Sequence, residues 1–68
     1  MTLMVYKNYN TGELAHVALE YDTFSMIFGN GIGKGNSVDC KKLSTVVKHL
    51  EKRGYDTKPI ETKIYLAL

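Results

Sequence analysis

Residues 37–53 read SVDCKKLSTVVKHLEKR and contain the clearest secondary-structure pattern of the chain. Its apolar residues recur at the i, i+3, i+4 and i+7 spacing of one helix face, and they are Cys40, Leu43, Val46, Val47 and Leu50. Asn36 or Ser37 can act as the N-cap, and Gly54 can end the helix in the left-handed conformation. We therefore predict one helix over residues 37–53, with Leu43 and Val47 in the core.

The segments on either side of this helix are typical of β-strands. Apolar and polar residues alternate along residues 14–21, 23–28 and 60–68, and an apolar run covers residues 3–6. The NYNTG sequence at residues 8–12 favours a hairpin turn, because Asn and Gly tolerate positive φ. The prediction is a single α+β domain over residues 1–68. It has a small antiparallel sheet of about four strands, with one helix packed on one face, in the order β-β-β-α-β.

A glycine-rich segment, GNGIGKGN at residues 29–36, precedes the predicted helix. Glycine at every other position favours a loop over any regular element. The segment lacks the Walker spacing, because position 28 is Phe and Gly35 follows Lys34, and it also lacks the dinucleotide-binding spacing. Two interpretations remain open: an anion-binding loop that uses Lys34 beside a helix N-terminus, or a plain connector.

The positive charge of the chain is concentrated in the helical segment. The whole chain has nine Lys and Arg against seven Asp and Glu, and residues 36–53 contain five of these cations but only two carboxylates. At helical spacing Lys41, Lys48 and Lys52 share one side, beside a row of Lys42, His49 and Arg53. The candidate binding residues for a protein or for phosphate are therefore Lys34, Lys41, Lys48, Lys52 and Arg53. The alternative is a solvated helix face.

A single helix can cover only one face of the predicted sheet, so the other face is expected to be open to solvent or to a partner. The alternation assigns to that open face Met4, Tyr6, His16, Ala18, Lys63, Tyr65 and Ala67. Tyrosine is common in binding surfaces, so Tyr6, His16 and Tyr65 are candidate binding residues. Ordinary cross-strand pairing is the alternative explanation.

The amino-acid composition is compatible with few kinds of catalytic or metal-binding site. One cysteine excludes a disulfide within the chain, and one cysteine with two distant histidines gives no metal-ligand spacing. Cys40 near a helix N-terminus could have a lowered thiol pKa, but neither histidine lies at a spacing that would make it the base. We expect no catalytic residues, no metal and no cofactor, and hence no enzyme.

Size and hydropathy indicate where such a protein acts and what it contacts. No apolar run approaches the ~18 residues that a transmembrane helix needs, and residue 1 is not followed by a secretory signal. We expect a cytoplasmic protein without membrane contacts.

The expected function is that of a small non-enzymatic interaction module. Such a module acts as an inhibitor or adaptor of a larger macromolecular partner, most simply a protein, as small accessory proteins of mobile elements do. The alternative is a nucleic-acid-binding module that uses the basic helix face and the glycine-rich loop. We also expect self-association into a homodimer through the edge of the C-terminal strand.

Overall fold

The computed structural model describes residues 1–29 and 37–66. Within these residues, one helix and five strands form an α+β fold in the order β1 (Thr2–Lys7), β2 (Leu14–Glu20), β3 (Thr23–Phe28), β4 (Ser37–Cys40), α1 (Leu43–Lys52) and β5 (Glu61–Ile64). The strands form one sheet in the order β4-β3-β2-β1-β5, and every neighbouring pair is antiparallel. The predicted fold class is confirmed, with one strand more than expected.

The additional strand is β4, and it replaces the first part of the predicted helix. Ser37–Cys40 pair with β3, and the helix begins only at Leu43. The helix prediction was therefore wrong over residues 37–42. Ser, Val, Asp and Cys are weak helix formers, and pairing with β3 satisfies their backbone groups. The N-cap is Lys42, in an extended conformation, instead of Asn36 or Ser37.

The later start of the helix changes which of its residues are core. Val46 and Leu50 are fully buried, whereas Leu43 is 55% exposed and Val47 is partly buried. Placing Leu43 in the core was therefore wrong, because this residue lies at the free first turn of the helix. The buried apolar side chains of the described residues are Tyr6, Ala15, Val17, Met26, Phe28, Val46, Leu50 and Tyr55.

Tyr6 lies on the helix-covered face of the sheet and not on the open face. It pairs with Ala15 in β2, which in turn pairs with Phe28 in β3, so the three side chains share one face. Only 3% of Tyr6 is exposed, and this burial raises the pKa of its hydroxyl. The assignment of Tyr6, and of Met4 two residues before it, to the open face was wrong.

The C-terminal end of α1 is held against β3 by an aromatic cluster. The rings of Phe28 and Tyr55 lie 5.6 Å apart, and the Arg53 guanidinium lies 4.2 Å from the centre of the Phe28 ring. The Tyr55 hydroxyl accepts a hydrogen bond of 3.2 Å from the Gly29 N–H. Gly54 follows the helix at a φ of 83°, which confirms it as the predicted helix stop. No helix in the described part of the chain is long and apolar enough to cross a membrane.

Asn8 is a buried polar residue that ties the β1–β2 turn to the end of the helix. Its Oδ1 accepts hydrogen bonds from the N–H groups of Asn10 and Thr11, at 2.9 and 3.3 Å. Its Nδ2 donates to the carbonyl oxygen of Arg53 at 3.1 Å. One side chain therefore satisfies backbone groups from two segments that are distant in the sequence.

Replacing this residue should measurably destabilise the protein. We expect Asn8→Ala to lower the free energy of unfolding by about 1–2 kcal/mol, because it leaves backbone groups in a partly buried position without partners. Urea denaturation followed by circular dichroism measures the change. The exposed Asn10 serves as the control, and Asn10→Ala should change the stability by less than about 0.5 kcal/mol. Equal effects of the two substitutions would contradict the bridging role of Asn8.

Candidate functional site

An open groove lies at the end of the sheet where β1 begins and where β2 and β5 end. It has a volume of about 420 Å³ and is lined by Met1, Glu20, Tyr21, Tyr65 and Leu66. We call it the tyrosine groove. Four of its five lining residues are large and apolar or aromatic, and all four are exposed. Clustering of such side chains at one place on a surface is typical of a protein-interaction site.

Tyr21 is the most unusual residue of the groove. It occupies the first position of the two-residue turn between β2 and β3, which is closed by the pairing of Glu20 with Thr23. Its φ is 57°, and among the described residues it is the only non-glycine residue in the left-handed region. A bulky side chain in this conformation costs about 1–2 kcal/mol. Because Tyr21 is also 99% exposed, its side chain contributes little to folding that could offset this cost.

The opposite wall of the groove is held in place by backbone hydrogen bonds. The N–H of Tyr65 donates to the carbonyl oxygen of Met1 at 2.7 Å, and the Met1 amino group donates to the carbonyl oxygen of Tyr65 at 2.9 Å. These bonds continue the pairing of β1 with β5 beyond Ile64. Tyr65 and Leu66 are therefore presented by a backbone that is anchored to the sheet, and Leu66 remains 82% exposed.

Charged groups of both signs belong to the groove, namely the amino group of Met1 and the carboxylate of Glu20. Glu20 lines the groove, while the neighbouring Asp22 is paired with Lys41 at a Nζ–Oδ1 distance of 3.3 Å. Hydrogen bonds from Lys41 and Thr23 lower the pKa of the Asp22 carboxyl. The charge of Asp22 is thus compensated within the chain, and Glu20 is the anionic group that a bound molecule would meet.

The structure separates the predicted basic residues. Lys41 lies before the helix and contacts Asp22 and Thr23, so it does not continue the row of Lys48 and Lys52. Arg53 stacks on Phe28 and donates a hydrogen bond of 3.2 Å to the carbonyl oxygen of His49. Of the four predicted cations in the described part of the chain, the helix therefore brings together only Lys48 and Lys52. The fifth, Lys34, lies outside the described residues.

Two of the three candidate binding residues of the open sheet face are exposed, but they do not lie together. His16 is exposed on the open face, where its register partners are Val5 and Ile27. Tyr65 follows β5 and lines the tyrosine groove. Since Tyr6 is buried on the opposite face, the three candidates do not share one binding surface.

Cys40 lies on β4, where its side chain is partly buried. Its Sγ donates a weak hydrogen bond of 3.8 Å to the carbonyl oxygen of Lys42. Within residues 1–29 and 37–66, no three His, Cys, Asp or Glu side chains lie close enough together to hold a metal ion. The arrangement around Cys40 is that of a thiol packed at a strand end, and the tyrosine groove is the stronger candidate site.

The sequence pattern does not mark Met1, Glu20, Tyr21 or Leu66 as site residues. The groove forms only when the β1–β5 register brings residues from both ends of the chain beside the β2–β3 turn. One signal was present in the sequence, because Tyr21 occupies a two-residue hairpin turn, where Gly, Asn or Asp is expected.

Comparisons with known proteins assign no family to this chain: no protein-family model, no curated protein and no solved structure matches it. The candidate site therefore rests on the geometry and chemistry of its own residues.

Proposed function

We propose that this chain is a non-enzymatic interaction module that binds a protein partner in its tyrosine groove and acts as an inhibitor or adaptor. The observation that carries this proposal is the fully exposed Tyr21, which lines the tyrosine groove at a φ of 57°. A residue that is unfavourable for the backbone and contributes little to the core is best explained by a contact outside the chain. Tyrosine is also among the residues that most often dominate binding energy at protein interfaces.

The chemistry of the groove favours one kind of partner segment. Met1 and Leu66 offer apolar contacts, the rings of Tyr21 and Tyr65 offer flat aromatic faces, and Glu20 offers a negative charge. A cation next to an aromatic ring and a carboxylate gains both cation–π and ion-pair attraction. The proposed ligand is therefore a protein segment with an aliphatic or aromatic side chain beside a Lys or Arg.

Selection from a random peptide library displayed on phage, with the immobilised chain as bait, tests this proposal. We expect enriched peptides that combine an apolar residue with an adjacent Lys or Arg. Tyr65→Ala should weaken their binding by roughly tenfold or more, which corresponds to the loss of about 1.4 kcal/mol or more of binding free energy.

The matched control is Tyr9→Ala. Tyr9 is an exposed tyrosine in the turn at the other end of β1, so its substitution should leave peptide affinity unchanged. A selection that enriches no peptides, or peptides that bind the Tyr65→Ala variant as tightly as the wild type, would contradict the proposal.

The nucleic-acid-binding alternative rests on Lys48 and Lys52, which are exposed one turn apart on α1. It is the weaker candidate, because Lys41 and Arg53 make contacts within the chain. Fluorescence anisotropy with labelled DNA and RNA oligonucleotides at low salt decides between the two. Under this alternative, the logarithm of the binding constant falls linearly with the logarithm of the salt concentration. Replacing both lysines by Gln should reduce the size of this slope by about two, close to one per lost phosphate contact. An absence of binding by the wild type removes the alternative.

The proposed compartment is the cytoplasm, in line with the expectation from the sequence. Fractionation of cells that express the tagged chain tests this location, and recovery in the membrane fraction would contradict it.

A further inference from the structure

β5 is an edge strand with all four of its residues exposed. It pairs with β1 on one side and ends the strand order of the sheet on the other. An edge strand presents unpaired N–H and C=O groups that can pair with another strand. This edge is separate from the tyrosine groove, although Tyr65 and Leu66 follow it in the chain.

The pairing with β1 determines which residues direct their backbone groups to the free edge. Met1 and Tyr65 exchange both hydrogen bonds, so they form a hydrogen-bonded pair. Such pairs alternate with non-bonded pairs along an antiparallel ladder. The backbone groups of Lys63 therefore point towards β1, and those of Thr62 and Ile64 point outwards.

The side chains of β5 then select one register for pairing with a second copy of the chain. A two-fold axis at Thr62 places Glu61 opposite Lys63 of the second copy, and Lys63 opposite Glu61 of the second copy. An axis at Lys63 would place two lysines opposite each other, and an axis at Glu61 would place two glutamates opposite each other. An axis at Ile64 would place Lys63 opposite Tyr65 and would form no pair of opposite charges. Directly opposed like charges destabilise a sheet, whereas opposite charges stabilise it.

The opposite face of β5 adds an apolar contact. Ile64 is 71% exposed in the single chain, and pairing with a second copy would remove part of this surface from water on both sides of the axis. The regular ladder ends at Glu61, because the N–H of Ile60 donates to the carbonyl oxygen of Val5 at 2.8 Å and therefore faces β1. Within one chain Lys63 Nζ already lies 3.3 Å from Glu61 Oε1, so the dimer would carry four alternating charges on one face.

We propose that two copies of this chain associate through antiparallel β5 strands about a two-fold axis at Thr62, which joins their sheets into one ten-stranded sheet. The backbone groups of Thr62 hydrogen-bond across the axis, and the pairing of Glu61 with Lys63 fixes the register. The proposal is independent of what the tyrosine groove binds.

Charge-exchange variants analysed by sedimentation velocity test the register. At high micromolar concentration the wild type should sediment with twice the mass of one chain. Glu61→Lys alone and Lys63→Glu alone should each sediment as monomers, because each would bring like charges together across the axis. A mixture of these two variants should form a heterodimer, because opposite charges then face each other in both pairs. A monomeric wild type, or a mixture that stays monomeric, overturns the proposal.

Amide hydrogen exchange provides a second measurement that does not depend on any variant. Exchange at the Thr62 amide should be fast in dilute samples and slow in concentrated ones. The Lys63 amide, which faces β1, should be protected at both concentrations and is the internal control. Exchange at Thr62 that is equally fast at both concentrations also overturns the proposal.

Discussion

Replacing Leu50 by alanine is expected to lower the free energy of unfolding by about 2–5 kcal/mol. Leu50 is fully buried on the side of α1 that faces the sheet, together with Val46. Its truncation leaves a cavity between the helix and the strands, which the surrounding structure can fill only in part. Because a single core of this size rarely supplies more than about 3–5 kcal/mol, we expect the Leu50→Ala variant to be largely unfolded at 37 °C or below.

The matched control for this prediction is Leu43→Ala on the same helix. Leu43 is 55% exposed, so its truncation should cost less than about 1 kcal/mol. Urea denaturation of both variants, followed by circular dichroism, measures the two costs under the same conditions. Similar losses for both variants would contradict the orientation of α1. A larger loss for Leu43→Ala would favour the core position that the sequence pattern predicts for it.

The helix illustrates how far the sequence pattern can be taken. The spacing of Val46, Val47 and Leu50 correctly indicates a helix, and Gly54 correctly marks its end. The start was wrong because Cys40 also fits the helical spacing, although it lies on β4. Four residues are too few to display a strand alternation of their own. Their conformation is decided by the unpaired edge of β3, a tertiary effect that local propensity does not contain.

The sequence predicts which side chains of a strand face the core only where apolar and polar residues alternate along that strand. Val17 in β2 follows the polar His16, and Met26 in β3 follows the polar Ser25. Val17 and Met26 are register partners, and both are buried. The run Leu-Met-Val-Tyr in β1 has no polar residue to mark the solvent side. Its orientation depends on the register with β2, and a shift of one residue exchanges the two faces. For this reason the sequence placed Tyr6 on the wrong face.

The candidate site was less predictable than the fold. The basic row depended on the helix start, so moving that start to Leu43 removed Lys41 from it. The tyrosine groove is lined by residues that are up to 65 positions apart in the chain, such as Met1 and Leu66. The spacing of residues in the sequence does not indicate that two such distant residues lie side by side in the fold. The tyrosine in the β2–β3 turn is the one sequence feature that indicates a functional site at this end of the sheet.

The proposed ligand-binding groove and the proposed dimer interface are adjacent at the C-terminal end of β5. Tyr65 and Leu66 extend β5 into the groove, whereas Thr62 lies at the proposed two-fold axis. A dimer would present two tyrosine grooves in a fixed relative position. A partner that carries two copies of the ligand segment would then bind more tightly than one copy binds alone. Disrupting the dimer should reduce this gain without changing the affinity for a single peptide.

Replacing Tyr21 by asparagine is expected to change stability and binding in opposite directions. Asparagine occurs at positive φ several times more often than tyrosine, and it leaves the flexibility of the unfolded chain nearly unchanged. Since the Tyr21 side chain is almost fully exposed, its loss removes little packing. We therefore expect Tyr21→Asn to raise the free energy of unfolding by about 0.5–1 kcal/mol, because asparagine relieves part of the backbone strain at this position.

The same substitution should remove the main contact surface of the groove. We expect peptides selected on the wild type to bind Tyr21→Asn roughly 30-fold more weakly, which corresponds to about 2 kcal/mol and is typical of a central interface tyrosine. The control is Asp22→Asn, at the next position of the turn, where φ is not positive and where the ion pair with Lys41 is lost. This variant should gain no stability. If Tyr21→Asn were no more stable than the wild type, the turn would not be strained. If it kept full peptide affinity, Tyr21 would not be the binding residue. The proposed function requires the gain in stability and the loss of binding together, because a residue kept only for folding would not produce both.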